Sequence, residues 1–311
     1  AVKVFAPRNL RTALIGMLLL ISPPVLLGIE RGNNDLIIFL LLVAAAWLMT
    51  RVSAMATTAA SGLIILAAAL KLYPVVALAS LAAKDISRKK MWLLVGSVSL
   101  VCVAFLLSSF AEYRRVAEVA PEPLTIFGYG AKLNYMMLAT MPAKAGLVLA
   151  GALPVLGFFI YSGWRGRKIY WDLVPQTGFT AGCYVAGAVC WSLCFLSTIN
   201  FSYRMVLLLL PARLWIDRES VDGAKFYIRL QWVTVLLLFW TPRRLDLMMN
   251  LSPSGEYFNG PPLTWVMLGA EQSLALGVTL MLILTLVGWG WRRLIKAEPH
   301  VEASTVHSAH N

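Results

Sequence analysis

The residues most able to do chemistry begin with the stretch ERGNND, Glu30 to Asp35, which separates two apolar segments. The carboxylates of Glu30 and Asp35 could each accept a proton from a hydroxyl group, as a general base does. Between them, Arg31 offers a guanidinium that can bind a phosphate. We therefore predict Glu30 and Asp35 as candidate catalytic residues and Arg31 as a candidate phosphate ligand.

A structural interpretation of the same stretch competes with the functional one. Asn34 or Asp35 could serve as the N-cap of the helix that begins at LIIFLLL. Capping does not account for Glu30 and Arg31 beside Gly32, whose backbone freedom permits a tight turn close to a ligand.

Two further cations stand next to apolar helices. Lys71 lies in the sequence KLYP, where Pro74 lacks an N–H group and breaks a helix. Its ammonium could hold a lipid phosphate or extend to the membrane surface. Arg204, in NFSYRM, can bind a phosphate or a carboxylate, and Tyr203 suits either a site or the interfacial aromatic belt. We predict Lys71 and Arg204 as phosphate-binding residues and Tyr203 as a substrate-binding residue.

A carboxylate also occurs inside the last apolar segment. Glu271 is followed by Gln272 about two turns from the predicted start of that helix. We predict Glu271 as a substrate-binding residue, because an intramembrane carboxylate is a candidate functional group, although it could equally pair with an arginine to pack the bundle. Weaker candidates are the glycine-containing loop 124–135 with Lys132, as an anion-binding nest, and the arginine pairs 114–115 and 243–244.

Composition shows what positions these residues. The chain has 311 residues, of which 59% are hydrophobic and only 14% are charged, and its apolar blocks have the length of membrane-spanning helices. We predict an all-α, polytopic membrane bundle of about ten helices over residues 1–297, followed by a polar cytoplasmic tail, 298–311. The predicted helices are 12–28, 35–50, 54–70, 72–84, 91–110, 144–163, 179–199, 203–216, 226–241 and 264–291.

The distribution of lysine and arginine predicts the orientation. A helix break at Lys71 places more basic residues on the cytoplasmic side than an unbroken helix would, and the positive-inside rule favours the break. Both chain ends are then cytoplasmic, and ERGNND, Lys71 and Arg204 face outward. The net charge of +12 is spread over short loops rather than one helix face, so we expect no nucleic-acid partner.

Metal and haem sites receive little support. The three histidines all lie in the C-terminal tail, and Cys183, Cys190 and Cys194 share one stripe of an apolar helix. Soft packing explains that stripe better than a metal or redox site. We expect no metal and no cofactor. Cations beside carboxylates at a membrane surface instead suit transfer of a group from a lipid phosphate to an acceptor hydroxyl.

Three segments together suggest a family. SPPVLLGIERGNNDLIIFLLL, ASGLIILAAALKLYPVVALASLAAKDISRKK and NFSYRMVLLLLP resemble the polyprenyl-phosphate-mannose-dependent glycosyltransferases of family eighty-seven, within the GT-C class. The resemblance covers about residues 20–92 and 198–212. It implies an enzyme that takes a hexose, mannose in that family, from a polyprenyl-phosphate donor on the non-cytoplasmic face of a bacterial inner membrane. Its acceptor would be a glycan or glycolipid.

By similarity, Lys71 would lie near the donor phosphate, with Asn33, Asp35 and Arg204 around the site; we add Asn34 as a substrate-binding residue. GT-C enzymes usually carry the catalytic acid in a long first outer loop, which this sequence does not show before ERGNND. We therefore expect an N-terminal part to be missing from the sequence. Two alternatives stay open: a non-catalytic membrane subunit of a larger assembly, with a protein partner, and a lipid or solute transporter.

Overall fold

A computed structural model describes residues 7, 9–119, 128–132, 135, 142–197, 200–218, 223–241 and 262–295 of the chain. Regular structure in these residues is helical, apart from a two-residue antiparallel pair of β1 (Gly128–Tyr129) and β2 (Asn200–Phe201). The predicted tail, 298–311, lies outside the described residues. The protein is therefore all-α, as its composition predicts.

The first part of the chain forms six α-helices and one long 3-10 helix. The α-helices are α1 (Leu10–Leu20), α2 (Pro23–Glu30), α3 (Asn34–Leu48), α4 (Ala54–Leu70), α5 (Arg88–Ser108) and α6 (Phe110–Val119). Between α4 and α5 the chain forms a 3-10 helix, Tyr73–Ala83, which we call the first 3-10 helix. Its 11 residues, at a rise of about 2.0 Å each, span about 22 Å.

The second part contributes α7 (Pro142–Leu173), α8 (Phe179–Ser197), α9 (Ala212–Arg218), α10 (Lys225–Phe239) and α11 (Pro262–Gly290). A second 3-10 helix, Ser202–Leu209, follows β2, and a π-helical turn, Trp291–Ile295, ends the described chain. Three helices, α7, α8 and α11, are long and apolar enough to cross a membrane. The pair α1–α2, bent by 46°, would make a fourth.

Several predicted boundaries need correction. The helix predicted at 12–28 is divided between α1 and α2, because Pro23 and Pro24 cannot donate the hydrogen bonds that would continue α1. Residues 72–84 and the first part of 203–216 form 3-10 rather than α-helix. The helix predicted at 144–163 continues to Leu173, since Gly166, Tyr170 and Leu173 give its extension a buried face. The break at Lys71 is confirmed.

Helix α8 lies at the centre of the fold and is buried along most of its length. The first 3-10 helix packs against it, and α7 packs along α11. Small residues permit the second contact: a Cβ on Gly269 would lie 2.0 Å from the carbonyl oxygen of Val148. Close backbone approach through such residues is typical of helices packed in membranes.

The first 3-10 helix connects two polar groups. At its beginning lie Asn33, Asp35, Lys71, Tyr73 and Arg204, which we call the Asp35 group. Beyond its last residue lie Arg51, Lys84 and Arg293, which we call the Arg293 group. The Asp35 group contains most of the predicted site.

Candidate functional site at the Asp35 group

Three interruptions of helical structure bring the Asp35 group together. The first is the turn from α2 to α3, where Gly32 has a φ of 55°. This left-handed conformation confirms the tight turn predicted there. The second is the break between α4 and the first 3-10 helix at Lys71. The third is the start of the second 3-10 helix at Ser202.

Asp35 is the centre of the group. Its side chain is only 1% exposed, and its Oδ2 lies 2.9 Å from the Nζ of Lys71. The hydroxyl of Tyr73 donates a hydrogen bond of 2.5 Å to its Oδ1. Burial of a carboxylate is costly unless it is paired and hydrogen-bonded, and Lys71 and Tyr73 meet both conditions.

Asn33 links the helix cap to the site. Its Oδ1 accepts a hydrogen bond of 2.9 Å from the backbone N–H of Asp35 and so caps α3. The same oxygen accepts a hydrogen bond of 2.9 Å from Lys71 Nζ. The capping interpretation was therefore right about the mechanism but wrong about the residue, which is Asn33 rather than Asn34 or Asp35.

Arg204 approaches from the second 3-10 helix. Its Nε lies 3.9 Å from Asp35 Oδ2, and its guanidinium carbon lies 5.4 Å from the centre of the Tyr73 ring. The pairing of β2 with β1 fixes the backbone just before this helix, with Tyr129 opposite Asn200. Tyr129 in turn stacks on Trp191 of α8, with 4.7 Å between ring centres.

Exposure differs sharply between the charges. The side chains of Lys71 and Arg204 are 24% and 23% exposed, whereas that of Asp35 is 1% exposed. The carboxylate thus lies beneath two cations that retain access to the surface. A ligand approaching the group from outside meets the cations first.

Helix ends of both polarities lie at this group, since α4 ends there with Lys71 as its C-cap. Asp35 is in the first turn of α3, Tyr73 begins the first 3-10 helix, and Arg204 is the third residue of the second. The group therefore contains residues from the N-terminal ends of three helices. Such ends carry partial positive charge and attract anions. Broken helices with converging N-termini are a recurring way of binding anionic substrates in membranes.

The structure brings together four of the predicted residues, Asn33, Asp35, Lys71 and Arg204. Glu30, Arg31 and Asn34 lie in the same turn with exposed side chains. Tyr203 belongs to the second 3-10 helix, but its side chain lies outside the described residues.

Glu271 is located on another element, α11. Its side chain is buried at 5% exposure, beside Gln272 at 3%. Both lie about two turns before Thr279, whose Oγ1 accepts a hydrogen bond of 2.9 Å from Trp191. Elsewhere, Cys183, Cys190 and Cys194 are buried in α8. Within the described ranges, no group of three histidine, cysteine or acidic side chains has the arrangement of a metal site.

Sequence reasoning did not identify Tyr73 as part of the site. The available signal was a tyrosine two residues after a lysine at a helix break, since a phenol can donate to a carboxylate that the lysine also binds.

Comparison with known proteins adds no assignment. Neither family models, curated protein sequences nor solved structures give a match to this chain. Evidence for a function therefore comes from the residues and the geometry described above.

Proposed function

We propose that the protein is an integral-membrane glycosyltransferase that moves a hexose from a polyprenyl-phosphate donor to an acceptor hydroxyl. The main support is the arrangement of the Asp35 group. Two partly exposed cations, Lys71 and Arg204, cover a buried carboxylate at the start of three helices. A phosphate diester is an anion of the kind that such a surface attracts. The resemblance of the sequence to mannose-transferring enzymes suggests mannose as the hexose.

In this proposal the two cations bind the donor phosphate and stabilise the charge that develops on it as it leaves. Asp35 holds Lys71 and Tyr73 in position through the contacts at 2.9 and 2.5 Å. The acceptor oxygen forms a bond to the anomeric carbon, and the bond from that carbon to the phosphate oxygen breaks. The acceptor proton passes to a carboxylate acting as general base.

Glu30 is the better placed of the two carboxylates for the base. It is exposed at the end of α2, and α2 packs against the second 3-10 helix, which carries Arg204. Asp35 is buried, and its two oxygens already contact the ammonium of Lys71 and the hydroxyl of Tyr73, so they are not open to an acceptor hydroxyl. Asp35 is therefore assigned to positioning the cations.

The membrane arrangement that goes with this function has about ten spans. These spans would be α1–α2, α3, α4, the first 3-10 helix, α5, α7, α8, the second 3-10 helix together with α9, α10 and α11, in a GT-C-like bundle. The Asp35 group would then face the periplasm or exterior of a bacterial inner membrane. This orientation agrees with the basic residues at the opposite end of the fold, such as Arg51, Lys84 and Arg293.

A binding subunit without transferase activity is the second candidate. It is favoured by the burial of Asp35 and its engagement with Lys71 and Tyr73. Under this alternative the Asp35 group would bind a lipid phosphate, and another chain of an assembly would supply the base.

A paired assay separates the two candidates. Protein purified into lipid nanodiscs is tested for binding of a polyprenyl-phosphate mannose and for transfer of its labelled sugar to membrane glycolipids. A transferase binds and transfers, and Glu30→Gln lowers the transfer rate by about 100-fold with binding retained. Binding without transfer by the wild-type protein supports the subunit alternative. Absence of both contradicts the proposal.

A further inference from the structure

A largely exposed apolar surface lies on α7. This helix is long and apolar enough to cross a membrane. Only 17% of its most apolar stretch is buried, however, compared with 72% for α8 and 56% for α11. Most of the apolar surface of α7 therefore faces outward. In a membrane protein that surface is in contact with lipid.

The outward surface of α7 has a regular composition. Leu153, Ile160, Trp164, Lys168 and Trp171 follow one another at spacings of seven, four, four and three residues, which place them on one helix face. We call this face the α7 stripe. Its four apolar members are 60%, 58%, 65% and 37% exposed, in chain order, and Lys168 is also exposed.

The α7 stripe has the polarity and length of one membrane leaflet. Leu153 and Lys168 are 15 residues apart, or about 22 Å at 1.5 Å per residue. Half a bilayer, with its headgroups, is about 20–22 Å thick. Aliphatic side chains occupy the first part of the stripe, and Lys168 lies in its second part, among the indoles. Trp164 and Trp171 flank that lysine at four and three residues.

Near Lys168, cations outnumber the one acidic side chain of α7, Asp172, which lies 3.4 Å from Arg292. Helix α10 contacts α7 here, because a Cβ on Gly166 would come within 2.2 Å of the Tyr227 ring. Tyr227 also packs edge to face on Tyr170, with 5.2 Å between ring centres. Exposed basic residues close to this contact are Arg165 and Arg167 on α7 and Lys225 and Arg229 on α10.

We propose that the α7 stripe binds an anionic phospholipid of the cytoplasmic leaflet. Its acyl chains lie along Leu153 and Ile160, and its phosphate contacts Lys168 between the indoles of Trp164 and Trp171. Clusters of basic residues at helix ends on this side of a membrane are typical of binding to anionic headgroups. The occupant is a membrane lipid, because the aliphatic part of the stripe would gain nothing from a soluble anion. This site is independent of the Asp35 group and of the function proposed for it.

The test compares Lys168→Ala with Lys90→Ala. Lys90 is also exposed near the beginning of α5, but Ile86 and Leu93 occupy the positions where Lys168 has its two tryptophans. Binding of phosphatidylglycerol and phosphatidylcholine to detergent-purified full-length protein is measured by native mass spectrometry. Thermal unfolding of each variant without added lipid verifies its folding.

Lys168→Ala is expected to weaken phosphatidylglycerol binding about 5-fold, as loss of one cation near a headgroup does. The triple variant Trp164→Ala/Lys168→Ala/Trp171→Ala should weaken phosphatidylglycerol binding on the order of 30-fold. Lys90→Ala should leave binding at the α7 stripe unchanged. Equal effects of Lys168→Ala and Lys90→Ala, equal affinity for phosphatidylcholine, or displacement of the lipid by millimolar inorganic phosphate would each overturn the proposal.

Discussion

The two ends of the first 3-10 helix use a lysine and an arginine in different ways. In the Asp35 group, Lys71 and Arg204 approach the side-chain carboxylate of Asp35 at 2.9 and 3.9 Å. In the Arg293 group the acceptors are backbone carbonyls. Arg293 donates to the carbonyl oxygens of Ala82, Lys84 and Ile86 at 2.9, 2.7 and 3.2 Å, and Lys84 donates to that of Arg51 at 2.7 Å.

The comparison distinguishes cations that stabilise the fold from cations that are placed to bind a ligand. Carbonyls at the C-terminal end of a helix lack intrahelical partners, so Arg293 satisfies them and complements the negative end of the helix dipole. Lys84 is 5% exposed and thus inaccessible to a ligand. Lys71 and Arg204 lie near the N-terminal, positive end of the first 3-10 helix, and their side chains are partly exposed. The proposed function requires cations that a lipid phosphate can reach, as Lys71 and Arg204 are and Lys84 is not.

The largest expected effect on stability comes from Asp35→Ala. This change would leave Lys71, Arg204 and Tyr73 around a site without its carboxylate, and breaking a largely buried ion pair costs about 3–5 kcal/mol. Thermal unfolding in detergent measures the loss. The control is Asp172→Ala, whose side chain is 72% exposed and lies 3.4 Å from Arg292; such a pair contributes about 0–1 kcal/mol. Equal losses would show that Asp35 is not the centre of a buried group.

Arg293→Ala tests the opposite end of the first 3-10 helix. It removes charged hydrogen bonds to three carbonyls, and we expect a loss of about 2–3 kcal/mol in the free energy of unfolding. Arg293→Lys should recover only part of it, because an ammonium cannot reproduce the planar fork of a guanidinium. Lipid-phosphate binding by the folded protein should not change. If Arg293→Ala lost lipid-phosphate binding while remaining folded, Arg293 would take part in binding, which would contradict its assignment to fold stability.

Tyr73→Phe isolates the hydrogen bond to Asp35 Oδ1. The ring is kept, so packing beneath Arg204 is preserved, and the loss of one hydrogen bond to a charged acceptor should cost about 1.5–3 kcal/mol. Unfolding of Tyr73→Phe, Lys71→Ala and the double variant forms a cycle. Because both groups bind the same carboxylate, we expect non-additive effects. If the losses in the free energy of unfolding were strictly additive, Tyr73 and Lys71 would stabilise the protein independently of each other.

Asn33→Ala should have the smallest effect, about 1 kcal/mol from loss of the α3 cap. Asn33→Asp keeps an oxygen acceptor for the cap and for Lys71, so it should retain most of the stability. Chemical denaturation of the two variants measures the difference. If Asn33→Ala did not change stability, the two hydrogen bonds of 2.9 Å that Asn33 Oδ1 accepts, from the backbone N–H of Asp35 and from Lys71, would contribute nothing to the free energy of unfolding.

The main helices could be predicted from the sequence because their apolar blocks are long. The predicted helix 54–70 coincides with α4, Ala54–Leu70, where Ser53 caps the start and Pro74 prevents continuation. The extension of α7 was missed because Arg165, Arg167 and Lys168 resemble a loop. The contact of Gly166 with Tyr227 and the burial of Tyr170 and Leu173 explain why the helix continues there.

Part of the site could also be predicted, since Asp35, Lys71 and Arg204 are charges beside apolar helices. Their mutual contacts depend on which helices neighbour one another, and composition does not specify this. The hydrogen bond from Tyr73 depends on the 3-10 geometry after Lys71, whereas the apolar pattern of YPVVALASLAA suits either type of helix.

Whether the Asp35 group binds a lipid phosphate is tested by comparing Lys71→Gln with Lys84→Gln in binding of a polyprenyl phosphate to protein in nanodiscs. The variants remove one lysine charge each from the two ends of the first 3-10 helix. We predict that Lys71→Gln weakens binding about 10-fold, as loss of a charged hydrogen bond to phosphate would, and that Lys84→Gln binds as the wild type does. Equal affinities for both variants, or a loss confined to Lys84→Gln, would contradict the assignment of the lipid-phosphate site to the Asp35 group.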